Sequence, residues 1–144
     1  MIRKAQQEDL PTTTALALEL WPDNAPEDLA AVLEQILQNP EAAIFLACSQ
    51  NKPVGFAQCQ LRHDYVEGTK SSPVGYLEGI FVQETYRRQG YARLLLIACE
   101  VWAKEQGCCE FASDCELTNE DSLRFHLNLG FEETNRIICF TKTL

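Results

Sequence analysis

The feature that most constrains this chain runs from Tyr76 to Trp102. It comprises an apolar strand (Tyr76-Leu-Glu-Gly-Ile-Phe-Val82), a short polar link, and Arg87-Arg-Gln-Gly-Tyr-Ala92, which opens a helix continuing past Trp102. A strand, a glycine turn and a helix start in that order make an anion cradle. The first N–H groups of a helix have no intrahelical partner and the dipole adds partial positive charge there, so a phosphate is the expected guest. Gly90 lets the backbone approach closely and Ala92 keeps the first turn slim, while Arg87, Arg88 and Arg93 put the chain's densest positive charge alongside. The stretch reads as a pyrophosphate site. It is neither the three-glycine dinucleotide fingerprint nor the triphosphate-binding loop, and taken alone the hexapeptide is equally a surface turn with a capping glycine.

At 144 residues the chain fits one domain with a real core. No apolar run approaches the length of a bilayer span, and Met-Ile-Arg-Lys-Ala-Gln-Gln-Glu lacks a signal-peptide core. The expectation is a cytoplasmic protein with no membrane partner. Seven cysteines, an odd number without a Cys-x-x-Cys pair, read as thiols, mostly small buried hydrophobes. With only His63 and His126 beside them, no metal site is expected. The net charge of −9 argues against nucleic acid and favours a cationic substrate, alongside its ordinary service to solubility.

Taken in order, Ile2 to Ala5 reads as a strand, Glu8 to Leu20 as a helix with Pro11 in its first turn, and Pro26 to Leu37 as a second helix. The second carries Leu29, Val32, Leu33, Ile36 and Leu37 on one stripe that faces a sheet. Ala43 to Ser49 and Val54 to Arg62 form a hairpin across Gln50-Asn51-Lys52-Pro53. The polar loop His63 to Pro73 has a composition that cannot form a core, and it reads as functional. After the organising strand and its helix, closed by Gly107, come a strand at Glu110 to Asp114 and a capping-box-like Thr118-Asn-Glu-Asp121. A helix from Glu120 to Leu129 follows, then final strands at Phe131 and at Ile137 to Thr143.

With these pieces in place the chain resembles the GNAT superfamily of acetyl-CoA-dependent N-acetyltransferases. The resemblance rests on Leu77 to Val82, Arg87 to Ala92, and Asn119-x-x-Ser122 with Leu129-Gly130-Phe131. More narrowly, Leu20-Trp21-Pro22, Arg62-His-Asp-Tyr-Val66, Ser71-Ser-Pro-Val74, Leu77-Glu-Gly-Ile80, Ala112-Ser-Asp114 and Gly130-Phe-Glu-Glu-Thr134 are similar to aminoglycoside 6'-N-acetyltransferases. This implies an α/β fold whose mixed central sheet has a splayed strand pair and flanking helices. It also implies acetyl transfer from acetyl-CoA to the 6'-amine by direct attack in a ternary complex, and resistance to the drugs.

Acyl transfer to an amine needs a held thioester carbonyl, an uncharged amine, and a proton for the departing thiolate. By the resemblance, Ile80, Phe81 and Val82 hold the pantetheine arm, with an N–H of Phe81 or Val82 as oxyanion donor. Arg87, Arg88, Gln89, Gly90, Tyr91, Ala92, Arg93 and Asn119 complete the cofactor site. Glu78 and Asp114 are carboxylates at or near strand ends that interrupt apolar runs. Each either meets the cationic amine or is paired with an Arg or placed at a bulge. The family often carries a Tyr on the last helix to protonate the thiolate; here Phe125-His126 stand there, making His126 a candidate general acid or a solvent-facing helix residue. Trp21, Asn24, Tyr65 and Asn135 correspond by resemblance to substrate contacts, Asn135 being neutral where an acidic residue is expected. Trp21 is equally a helix-terminal core residue. The rival readings are a GNAT enzyme for another small amine or polyamine, and a non-catalytic acetyl-CoA-binding module. The last strand also offers an edge for a homodimer.

Overall fold

The computed structural model describes residues 1–144. One five-stranded sheet runs β1 (Ile2–Lys4), β2 (Ala42–Ser49), β3 (Lys52–Arg62), β4 (Val74–Val82) and β5 (Phe111–Ala112), side by side in chain order. The first four strands are antiparallel, and β5 is parallel to β4. Helices α1 (Leu10–Leu20) and α2 (Pro26–Gln38) lie between β1 and β2, α3 (Tyr91–Glu105) makes the β4–β5 crossover, and α4 (Glu120–Asn128) follows β5.

Strand alternation assigns the faces. On β2, Ile44, Leu46 and Cys48 join Phe56 under Leu16, Ala17, Leu29 and Leu33 of α1 and α2. Ala43 and Ala47 point the other way, beneath Leu95, Leu96, Cys99, Trp102 and Ala103 of α3. The small residues on that face leave room for the Trp102 indole. Phe56 is fully buried at the centre of the first face, and truncation to Ala there costs about 3–5 kcal/mol.

Several local expectations are tightened. The hairpin turn is two residues, Gln50 and Asn51, both at positive φ (48° and 65°), so Lys52 and Pro53 already belong to β3. Pro11 sits in the first turn of α1, but Gln7–Asp9 form a separate 3-10 turn. There Asp9 accepts from Nη1 and Nη2 of Arg3, one on each carboxylate oxygen at 2.7 Å, tying β1 to the helix start.

The final strands are not formed. No strand follows Ala112, and residues 131–144 run without regular pairing, with Ile137, Ile138 and Phe140 exposed. A strand needs a neighbouring ladder, and the apolar alternation of this run finds none within its own chain. The strand expected at Glu110 to Asp114 likewise shrinks to Phe111–Ala112, because β5 pairs with β4 only at Gly75↔Phe111 and Tyr76↔Ala112.

Candidate active site

That short pairing creates the first element of the site. From Leu77 onward β4 has no backbone partner on the β5 side, and residues 78–81 are only half-buried in an otherwise buried strand. The expected splay is present, with Ile80, Phe81 and Val82 along the open edge. Ile80 packs towards α3 and Phe81 towards α1 and α2.

At the end of this edge lies the glycine loop. Arg88 and Gly90 both take positive φ (62° and 87°), and Gly90 is the N-cap of α3. A Cβ at Gly90 would meet nothing within 4 Å, so its backbone conformation, not crowding, calls for glycine. The first bond of the helix runs from Leu94 N–H to Gly90 O at 3.1 Å, leaving the N–H groups of Tyr91, Ala92 and Arg93 without an intrahelical acceptor. Arg87 is partly committed: its Nε donates to Val82 O at 2.7 Å and its guanidinium lies 5.6 Å from the Phe81 ring centre. It braces the loop against β4, while Arg88, Gln89 and Arg93 stay exposed. This donor set fits a pyrophosphate, and the open edge fits an extended arm that bonds through its amides.

The carboxylate cluster centres on a β-bulge. Gln58 pairs with Gly79 and Cys59 with Leu77, so Glu78 is the extra residue with no partner on β3. Its carboxylate is gripped by Arg62, the last residue of β3: Nη2 contacts Oε1 at 2.8 Å and Oε2 at 3.0 Å, and Nε contacts Oε1 at 3.1 Å. The Arg62 guanidinium also lies 3.5 Å from the centre of the Tyr76 ring, and the Tyr76 hydroxyl donates to Asp114 Oδ2. Burial, then the Asp114 bond, push the Tyr76 phenol well above its ordinary value, so it remains a donor throughout the physiological range. Glu78 is thus both at a bulge and paired with an Arg. Asp114 lies two residues past β5 and is exposed, not enclosed in a strand.

Trp21 ends α1 and flanks this cluster. Its indole packs edge-on to Phe56 at 5.9 Å and covers Gly79, where a Cβ would come within 2.7 Å of Cζ2. It is half-buried and serves as both core residue and wall. Asn24 is exposed and donates to Trp21 O at 3.2 Å, while Tyr65 stands 77% exposed on the polar loop. Asn135 is drawn elsewhere: its Nδ2 donates to Glu67 Oε1 at 2.6 Å, pinning the C-terminal arm to the loop. The loop is further anchored by Glu110, which accepts from Ser71 Oγ and Lys70 N–H, and it lines an open depression of about 370 Å³ between His63 and Ser72. A groove of about 480 Å³ at the far end of α3, lined by Lys4, Phe45 and Trp102, lies apart from the carboxylates.

His126 is not solvent-facing. Its Nδ1 lies 2.6 Å from Ser122 O, a distance that makes it the protonated nitrogen, and Nε2 is 2.8 Å from Ser113 Oγ. Phe125 and Phe131 flank the ring edge-on. Ser113 directly precedes Asp114 and stands where β4 and β5 part, its Oγ 3.5 Å from Leu77 O. Asn119 is the N-cap of α4, its Oδ1 accepting from Ser122 N–H at 3.1 Å.

Arg62, Tyr76 and Ser113 were missed in the sequence. Arg62 ends a strand next to a polar loop, where cations are common, and Tyr76 reads as one more apolar strand residue. The available signal was alternation: Tyr76 and Glu78, two residues apart on β4, fall on one face, and Arg62 shares it through the register that sets Gln60 opposite Tyr76.

The chain matches the model of the acetyltransferase (GNAT) family over residues 4–131. It is 45% identical to an aminoglycoside N(6')-acetyltransferase type 1 of Serratia marcescens, covering 100% of this chain and 99% of the relative. It is 44% identical to the protein of that name in Stenotrophomonas maltophilia, covering 99% and 93%. Among solved structures, AAC(6')-Iy in complex with the bisubstrate analogue CoA-S-monomethyl-acetylneamine superposes with a TM-score of 0.96 at 40% identity, covering 100% and 98%. AAC(6')-IG of Acinetobacter haemolyticus gives 0.95 at 37%, covering 100% and 99%. With its glycine loop, its open β4 edge and matches of this extent, the chain belongs to the GNAT acetyltransferase family, in its group of aminoglycoside N(6')-acetyltransferases.

Proposed function

We propose that the protein transfers acetyl from acetyl-CoA to the 6'-amine of aminoglycosides by direct attack in a ternary complex, and that this confers resistance. The observation that carries the reading is the pair Glu78 and Asp114, linked through Arg62 and Tyr76 beside the unpaired edge of β4. Bound acetyl-CoA supplies the acyl group: a new N–C bond replaces the C–S bond, the ammonium loses two protons on its way to the amide, one proton joins the thiolate, and one is released overall.

The residues divide this work. The α3 N-terminus with Arg88 and Arg93 holds the pyrophosphate, Ile80, Phe81 and Val82 hold the arm, and Asn119 lends its free Nδ2. Trp21, Asn24 and Tyr65 receive the sugar rings, while Glu78 and Asp114 hold the amine and Asp114 accepts its proton directly or through water. Asn135 contributes by fixing the loop that carries Tyr65. Protonated on both ring nitrogens, His126 gives its Nε2 proton to Ser113 Oγ, which passes its own hydroxyl proton to the thiolate and leaves a neutral His126 with its Nδ1 proton still on Ser122 O. Seven unpaired thiols, four of them buried, suit a reducing cytoplasm.

Mass spectrometry of an aminoglycoside panel incubated with acetyl-CoA tests the assignment; if no mono-acetylated product appears, it is wrong. Glu78→Ala and Asp114→Ala are expected to lose about 10²–10³-fold in turnover while retaining CoA binding. We also infer a homodimer joined by the arm. Ile137, Ile138 and Phe140 are exposed in a β-prone run, and the outer edge of β5 has no partner. Truncation after Arg136 should halve the mass in sedimentation, and an unchanged mass would refute the arm as the joint.

A further inference from the structure

The charge count around Glu78 does not fit a simple cation trap. Two carboxylates that jointly gripped an ammonium would hold its proton more tightly, yet only the neutral amine attacks. Arg62 stands against this. It contacts both Glu78 oxygens, and its guanidinium covers the Tyr76 ring whose hydroxyl serves Asp114. From β4 the guanidinium faces Glu78 and Tyr76, from the segment after β5 it faces Asp114 through Tyr76, and beyond it lies the exposed Glu41–His63 pair. The Tyr76 phenol stays neutral at working pH. Arg62 and Glu78 cancel, so one net negative charge remains, that of Asp114, against one incoming ammonium.

We propose that Arg62 is a positioning and charge-balancing residue: by neutralising Glu78 it lets the acceptor ammonium release its proton at the reacting centre, at some cost in substrate affinity. The geometry supports a lasting pair. Three contacts of 2.8–3.1 Å and the stacked ring hold the guanidinium in a fixed plane, and its side chain is 38% exposed, accessible to substrate without being loose. Glu78 is free to be held this way because the bulge relieves it of any cross-strand neighbour. A second role follows from position: the same plane orders the end of β3, from which the loop bearing Tyr65 departs.

This inference rests on the acetyltransfer reading, and the experiment separates their failures. The pH profiles of kcat and kcat/KM are measured for wild type, Arg62→Gln, Arg62→Lys, Glu78→Gln and the double variant Arg62→Gln/Glu78→Gln, with thermal melting to confirm folding. Arg62→Gln leaves two net negative charges. It should lower KM several-fold, reduce kcat at neutral pH by about tenfold, and move the acidic limb of kcat upward by about one unit. Glu78→Gln should move the limb the opposite way, Arg62→Lys should leave it in place, and the double variant, which restores a single negative charge, should bring it back towards the wild-type position even if its rate is lower. A role confined to packing would leave the limb fixed in all variants, and that result overturns the proposal. So does a raised KM in Arg62→Gln with the limb unmoved, the signature of a guanidinium that only binds drug. Wild type that acetylates no aminoglycoside refutes the functional reading instead.

Discussion

Tyr76 shows how one side chain joins two strands' chemistry. It lies in a buried stretch of β4, its ring beneath Arg62 and its hydroxyl on Asp114. Its folded pKa is raised, so its contribution to stability is complete below the unfolded value of about 10 and is lost as pH rises towards the folded one. Tyr76→Phe should therefore be less stable by about 1–2 kcal/mol at neutral pH and lose part of the stability decline that wild type shows as pH rises above about 10, as followed by denaturant titration. A second residue-scale prediction concerns Gly79, which is crowded rather than strained. Gly79→Ala puts a Cβ 2.7 Å from Trp21 and must dislodge the indole. A cost of about 1–3 kcal/mol, a change in tryptophan fluorescence and a several-fold higher KM for drug are expected, with CoA affinity unchanged. At this scale Glu78 and Asp114 were legible because a charge inside an apolar run is conspicuous. Arg62 and Tyr76 were not, because their meaning lies in a stacking contact across strands.

Among elements, the β4–loop–α3 unit was the most readable: strand, glycine turn and helix are contiguous, and every clue lies within about one helical span of the next. The terminal strands failed for the opposite reason. The run from Ile137 has strand composition, but composition supplies no partner, and β5 pairs through only two residues. The start of α4 lies between these cases. Asn119 was expected at the cofactor, and it stands as a helix cap. The two roles separate by substitution: Asn119→Asp keeps the acceptor for Ser122 N–H and discards the amide donors, whereas Asn119→Ala loses both. If the residue serves the cofactor as well as the cap, both variants bind CoA more weakly by calorimetry, and only Asn119→Ala also loses about 1 kcal/mol of stability. Wild-type CoA affinity in Asn119→Asp would leave the cap as its whole role.

Over the whole molecule, the net charge of −9 was readable at once, yet its use depends on where carboxylates gather. Aminoglycosides are polycations, so long-range attraction should raise their encounter rate and weaken with salt. Their KM should climb several-fold between low ionic strength and about 0.5 M salt while that of acetyl-CoA, an anion held by local donors, moves little or falls; a drug KM insensitive to salt would exclude steering. The sheet separates two groups of polar atoms, the free N–H groups at the start of α3 and the Arg62–Glu78–Tyr76 cluster on the face of α1 and α2. The bulge at Glu78 also bears on how such an enzyme can evolve. Residues 74–77 and 79–82 are locked to β3 as two separate registers, and Glu78 alone belongs to neither. A change of side chain there breaks the ion pair with Arg62 but removes no backbone pairing between β3 and β4. The cost of such a change therefore falls on the carboxylate cluster, while β4 keeps the geometry of its open edge.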